Sequence, residues 1–177
     1  MIHTKGFAQA TGASSGRVDD PGGWAGLLPV KVISVPEPIE DVIQSVIQRG
    51  MLVLELGCGV GDLSLRIAKL VGATGLIVGV DESAERIDLA EKRAIVAGQC
   101  YWTRFITADL NTFIPHDYAL IPNERYDVVV VARVHMLQRE RSTLLRVSTW
   151  LRPDGVIIIT DGRPAGSTDN RSLIWGK

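Results

Sequence analysis

Hydrophobic positions between residues 51 and 160 alternate between two rhythms. Short, nearly continuous apolar runs occupy 51–56, 76–80, 104–108, 126–132 and 155–160, the pattern of strands covered on both faces. Between them, apolar residues recur every three or four positions over about 62–71, 84–97 and 138–151, each series marking one face of an amphipathic helix. An earlier set, Ile39, Val42, Ile43, Val46 and Ile47, has the same helical spacing and predicts a helix from Glu37. Pro38 suits its first turn and Gly50 its C-terminal stop. Strand, helix, strand in this order predicts right-handed crossovers and an α/β fold, a doubly wound, mostly parallel sheet.

The flanks are less regular. Residues 31–36 read as a short extended piece, and 111–125, with Pro115 and Pro122, as an irregular segment. Residues 1–30, rich in Gly, Ala, Ser and Thr, predict a flexible arm with no fold of its own. The functional alternative for the arm is a lid over a ligand through Trp24 and Leu27–Leu28. Residues 31–177 then form a single domain.

Composition narrows the class of protein. A chain of 177 residues with 46% hydrophobic content can build one real core. The net charge is −1 and the 19 basic residues are scattered, so no field points to a nucleic-acid partner. No apolar stretch is long enough to span a bilayer, and the N-terminus lacks a signal-peptide apolar core. Cys58 and Cys100 form no close-spaced pair, which predicts reduced thiols, no zinc site and a cytoplasmic protein.

Chemistry concentrates at the strand ends, where ligands bind in doubly wound sheets. The run 51–56 passes through Glu55 into a turn containing Gly57, Cys58, Gly59 and Gly61, and then re-enters a helix. Such a turn brings backbone N–H groups and a helix N-terminus toward a ligand. Asp81 ends the next strand, placed to accept hydrogen bonds from both hydroxyls of a ribose. Asp109 and Leu110 end the third, where they can meet the edge of a base. Each element also has a plainer reading: a tight turn for the glycines, a helix cap for Asp81 beside Ser83, and an Asx-turn for Asp109. The glycine spacing is G-x-G-x-G, with Asp62 where a dinucleotide fold needs its third glycine. A carboxylate there opposes a pyrophosphate, and Glu55 suits an ammonium group. These charges favour a zwitterionic amino acid attached to a nucleoside.

The segment Glu55-Leu-Gly-Cys-Gly-Val-Gly resembles the first motif of class I S-adenosylmethionine-dependent methyltransferases. Val78-Gly-Val-Asp-Glu-Ser, Thr107-Ala-Asp-Leu, the stretch Tyr126 to Leu137 and the stretch Leu144 to Asp161 resemble the motifs that follow, in order. The resemblance implies a Rossmann-like fold with S-adenosyl-L-methionine as cofactor. Glu55 and the turn Gly57–Gly61, with Cys58 and Gly59 between, would hold the methionine moiety. Asp81 would bind the ribose, and Asp109 with Leu110 the adenine. Ala132 and Arg133 would line the pocket near the reactive methyl group. Glu82 stands where family members often carry an apolar residue against the adenine, so stacking is expected to be weaker or borrowed from elsewhere.

The segment Ala132-Arg133-Val134-His135 is closer to methyltransferases of small molecules than to amino-directed DNA methyltransferases, which carry an Asn-Pro-Pro-Tyr type of sequence there. A small-molecule acceptor is therefore expected. His135 is the one titratable side chain near a strand end suited to a general base, or else a helix-edge histidine packed on the sheet. Asp161 is a further pocket candidate, whereas His116 and His3 are not favoured. The family's antiparallel hairpin after strand five has no counterpart in the 16 residues beyond Asp161. The apolar strand 155–160 would then be an exposed edge. A truncated chain, a homodimer or other partner, or closure by the arm or tail are the competing explanations. The alternative function is a methyltransferase-like protein that no longer methylates.

Overall fold

The computed structural model describes residues 30–37, 39–118, 125–132 and 141–164. Strands β1 (Lys31–Glu37), β2 (Leu52–Leu56), β3 (Leu76–Asp81), β4 (Thr103–Thr107), β5 (Tyr126–Ala132) and β6 (Leu151–Pro164) form one sheet. Helices α1 (Glu40–Val46), α2 (Asp62–Val71), α3 (Ala84–Val96) and α4 (Arg141–Ser148) connect them. The order across the sheet is β1-β6-β5-β2-β3-β4, and every pairing is parallel. The expected doubly wound α/β architecture is present, and among the described residues it is wholly parallel. From β2 the chain builds outward through β3 and β4, then returns to the other side of β2 for β5 and β6. That reversal opens the crevice between β2 and β5 in which such sheets bind ligands.

Alternation along the strands sends side chains to two cores. Leu54, Leu56, Val129, Val131, Ile157 and Ile159 pack on one face with Phe113, Leu144, Val147 and Trp150. Val53, Val128, Val130 and Ile158 pack on the other with Ile39, Ile43 and Ile47 around α1 and with Ile67, Ala68 and Val71 of α2. Burial of this kind contributes about 25 cal/mol per Å² of apolar surface. No helix among the described residues is long and apolar enough to cross a membrane.

Three boundaries differ from expectation. Glu37 belongs to β1, where it pairs with Pro164, so α1 starts at Glu40 rather than at 37. That helix ends at Val46, with Ile47 already extended as its C-cap, because the chain must turn before Gly50 to enter β2. Strand β6 begins at Leu151, inside the stretch expected to be helical, since Leu151 pairs with Tyr126 before the register shifts at Val156.

The edge expected at 155–160 is not an edge. Lys31–Val35 lie in register against Val156–Thr160, and Val30 and Val32 pack on the adjoining core. The short extended piece after the arm supplies the cover, and no partner or second copy is needed at this strand. Residues 1–29, with Trp24, Leu27, Leu28 and His3, lie outside the described residues.

Candidate cofactor site

A cavity of about 840 Å³ lies beyond the carboxyl ends of the central strands. Its walls include Glu55, Gly57, Cys58, Gly59, Asp81, Glu82, Leu110, Ala132 and Thr160, with Ile39 and Glu40 from the start of α1 and Arg66 of α2. Glu40 and Arg66 form an ion pair across that rim.

Glu55 occupies the α1/α2 face of β2 between apolar neighbours and is 1% exposed. A buried carboxylate needs hydrogen-bond partners. Ser64, on the inward face of α2, supplies one: its Oγ donates to Glu55 Oε2 at 2.5 Å. The carboxylate is thus held rigidly while still reaching the cavity.

The glycine turn is built from left-handed backbone, with φ of +81° at Gly57, +54° at Gly59 and +80° at Gly61. Its amides, however, serve the fold. Gly57 and Cys58 N–H groups both donate to the Val80 carbonyl, at 2.8 and 3.0 Å, and Gly61 donates to Cys58. The Gly59 N–H donates to Asp81 Oδ2 at 2.9 Å. The expected row of amides aimed at a ligand is therefore largely engaged, which further disfavours a phosphate cradle. The turn offers space instead: a Cβ placed on Gly59 would meet nothing within 4 Å, whereas one on Gly61 would press on Ala90 and Phe105 at 3.1 and 3.3 Å.

Arg93 of α3 clamps the same turn. Its guanidinium donates to the Val60 carbonyl at 2.8 Å and pairs with Asp62 at 2.5 Å. The Asp62 charge is thereby offset. Burial, with the negative charges of Glu55 and Asp81, pushes the Cys58 thiol far above its ordinary range. Cys58 is a packed thiol and not a nucleophile.

Asp81 is 4% exposed. Besides Gly59, it accepts from the Ser83 amide at 3.0 Å and pairs with Arg86 at 2.8 Å. Capping of α3 falls to Ser83, whose Oγ accepts from the Arg86 amide at 3.3 Å. Asp109 makes the local contact that the Asx-turn reading expects. Its Oδ1 accepts from the Asn111 amide at 2.9 Å, an Asx-turn, and only Leu110 of the pair reaches the cavity. Arg146 of α4 fixes Leu110 by donating to its carbonyl at 3.0 Å and to that of Asn111.

The structure therefore brings Glu55, Gly57, Cys58, Gly59, Asp81, Glu82, Leu110 and Ala132 together. Gly61 shapes the turn beneath them. His116 is exposed in a short 3-10 turn away from the cavity. His135 and Arg133 fall in 133–140, outside the described residues. Sequence reasoning missed Arg86, Arg93, Ser64 and Thr160. Thr160 alone carried a signal, as the polar residue ending the apolar run Val156–Ile159.

The profile of the methyltransferase-domain family matches residues 47–174, from the approach to β2 past the end of β6. The chain belongs to this family. Its fold is that of class I S-adenosylmethionine-dependent methyltransferases. A solved methyltransferase from Geobacter sulfurreducens, crystallised with S-adenosyl-L-homocysteine, superposes with a TM-score of 0.58 at 22% identity, covering 75% of this chain and 49% of that one. The 23S rRNA (uracil(1939)-C(5))-methyltransferase RlmD of Acinetobacter baumannii is 35% identical over 88 residues, 48% of this chain and 18% of the relative. The ubiquinone/menaquinone biosynthesis C-methyltransferase UbiE of Azotobacter vinelandii is 26% identical over 116 residues, 65% of this chain and 44% of the relative. This methyltransferase domain thus spans less than half the length of either curated relative.

Proposed function

We propose that this methyltransferase domain binds S-adenosylmethionine in the cavity and passes its methyl group to a small-molecule acceptor. The observation that carries the reading is the meeting, in one cavity, of the buried Glu55 and Asp81 carboxylates with Gly59, whose missing side chain leaves open space. Glu55 would take the cofactor ammonium and Asp81 the ribose hydroxyls. Leu110 would pack on the adenine, with Asp109 and Glu82 at its rim. Gly57, Cys58 and Gly61 would hold the turn in shape, and Ala132 and Thr160 would wall the reactive end.

Bound there, the cofactor supplies an electrophilic methyl group already activated on a sulfonium. The chain's own residues have to orient it, exclude water and align the acceptor in line. The negative charge of Glu55 and Glu82 favours a cationic donor over its neutral product. We assign proton removal from the acceptor, where needed, to His135, the one titratable side chain placed by sequence just after β5.

Two features support a small acceptor. The net charge of −1 with dispersed basic residues offers no phosphate-binding face. The quinone-biosynthesis relative also matches a larger share of this chain than the rRNA-modifying one. The two free cysteines suit the reducing cytoplasm, where we place the protein.

Calorimetry with S-adenosylmethionine and S-adenosylhomocysteine, on wild type and Asp81→Ala, tests the cofactor part. No binding to the wild-type chain sinks it. Transfer of labelled methyl to a small quinol, compared with a uracil-containing rRNA fragment, tests the acceptor part. Label appearing in the RNA alone overturns the small-molecule assignment.

A further inference from the structure

We propose that Arg86 competes with the nucleoside for Asp81, so that a ligand must carry a vicinal diol to displace it; this rests on the cofactor reading above. A carboxylate offers about four acceptor positions, two on each oxygen. The Ser83 amide and the Arg86 guanidinium fill Asp81 Oδ1, at 3.0 and 2.8 Å. The Gly59 amide takes one position on Oδ2, at 2.9 Å. Among the described residues, a single position remains, on Oδ2. A ribose diol brings two donors and needs two positions.

Of the three donors in place, two are backbone amides fixed by the turn and by the start of α3. Arg86 is the one that can leave. Its side chain is 47% exposed while that of Asp81 is 6% exposed, and Arg86 is one of the residues lining the cavity. Arg86 also stands in the first turn of α3, where the helix dipole disfavours a cation. Pairing with Asp81 is what offsets that placement. An ion pair with one exposed partner is weak, so a diol can break it, at some loss of affinity.

The two kinds of nucleoside then respond differently. A diol ligand pays for expelling Arg86 and gains both acceptor positions. A 2′-deoxy ligand can use the one free position with Arg86 still in place. Arg86 therefore narrows the gap between the two, and removing it should tighten only the diol ligand.

Calorimetry on the full chain, with S-adenosylhomocysteine and its 2′-deoxy analogue as probes, tests this on wild type, Arg86→Ala and Arg86→Lys. Removing a weak ion pair is expected to tighten S-adenosylhomocysteine binding about two- to fivefold in Arg86→Ala. The deoxy analogue should be unchanged, and Arg86→Lys should return to wild-type values. Circular dichroism melting of each variant reports that the fold is kept. Weaker or unchanged S-adenosylhomocysteine binding in Arg86→Ala overturns the inference, as does equal tightening of both probes. If S-adenosylhomocysteine binds none of the three proteins, the cofactor reading falls and takes this inference with it.

Discussion

Ser64 and Glu55 form a buried pair across the α2–β2 interface, joined by a 2.5 Å hydrogen bond with neither side chain more than 1% exposed. Hydrogen bonds to ionised groups are worth roughly 1.5–3 kcal/mol, and the removal of one partner leaves a desolvated charge underserved. Ser64→Ala should lower stability by about 1–3 kcal/mol in urea unfolding. Cofactor affinity should fall with it, because the carboxylate loses a fixed orientation. Unaltered stability and affinity would mean that Ser64 does not position Glu55.

Glu55→Gln separates charge from shape. Glutamine keeps the volume and can still accept from Ser64, so the melting temperature should change little. The ligand ammonium loses its buried counter-charge, worth on the order of tenfold in the dissociation constant by charge-assisted bonding. Calorimetry with S-adenosylhomocysteine reads this directly. Retained affinity would place the ammonium elsewhere.

Gly59 and Gly61 should respond differently to alanine. At Gly59 the added methyl meets no protein atom, so its cost is the left-handed backbone alone, about 1–2 kcal/mol, while ligand binding is blocked. At Gly61 the methyl also presses on Ala90 and Phe105, adding about 1–3 kcal/mol of overpacking. Paired thermal melts and binding titrations distinguish them. Equal destabilisation with equal binding would show that the turn does not face the ligand.

Cys58 predicts a pH dependence. Its native thiol stays protonated well above the ordinary range, chiefly through burial, while the unfolded chain ionises near pH 8.5. The associated stability is fully present below that pH and falls above it, by about 1.4 kcal/mol per pH unit. Urea unfolding at pH 8 and pH 10 should show a smaller alkaline loss in Cys58→Ala than in wild type. Identical losses in the two proteins would count against a buried thiol.

Much of the fold was legible because its signals are local. The runs 51–56, 76–80 and 126–132 are apolar at nearly every position, and they became β2, β3 and β5 with shifts of a residue or none. Asp62–Val71 and Ala84–Val96 announced themselves by spacing and by Ser83 at the cap. In the site, Glu55 stood out inside a strand, Asp81 at the end of one, and Gly59 in the turn between β2 and α2. What stayed hidden depends on partners distant in the chain. Nothing local in Arg93 points to Val60 and Asp62, nor in Arg146 to Leu110. Asp109 was readable two ways, and its Asx-turn with the neighbouring Asn111 amide is the local one. The pairing of Lys31–Val35 with Val156–Thr160 joins opposite ends of the described chain, and a short polar-flanked segment carries no mark of its partner.

That last pairing sets an order of events during synthesis. The segment Lys31–Val35 is made well before its strand neighbour among the described residues, Val156–Thr160, which follows more than a hundred residues later. At about 5–20 residues per second the first strand waits roughly 6–24 seconds unpaired. The half β2 to β4 can assemble in that interval from contacts near in sequence, while β1 docks last and slowly. The nascent chain is therefore most exposed to mispairing in the moments after β6 emerges and before β1 closes over it.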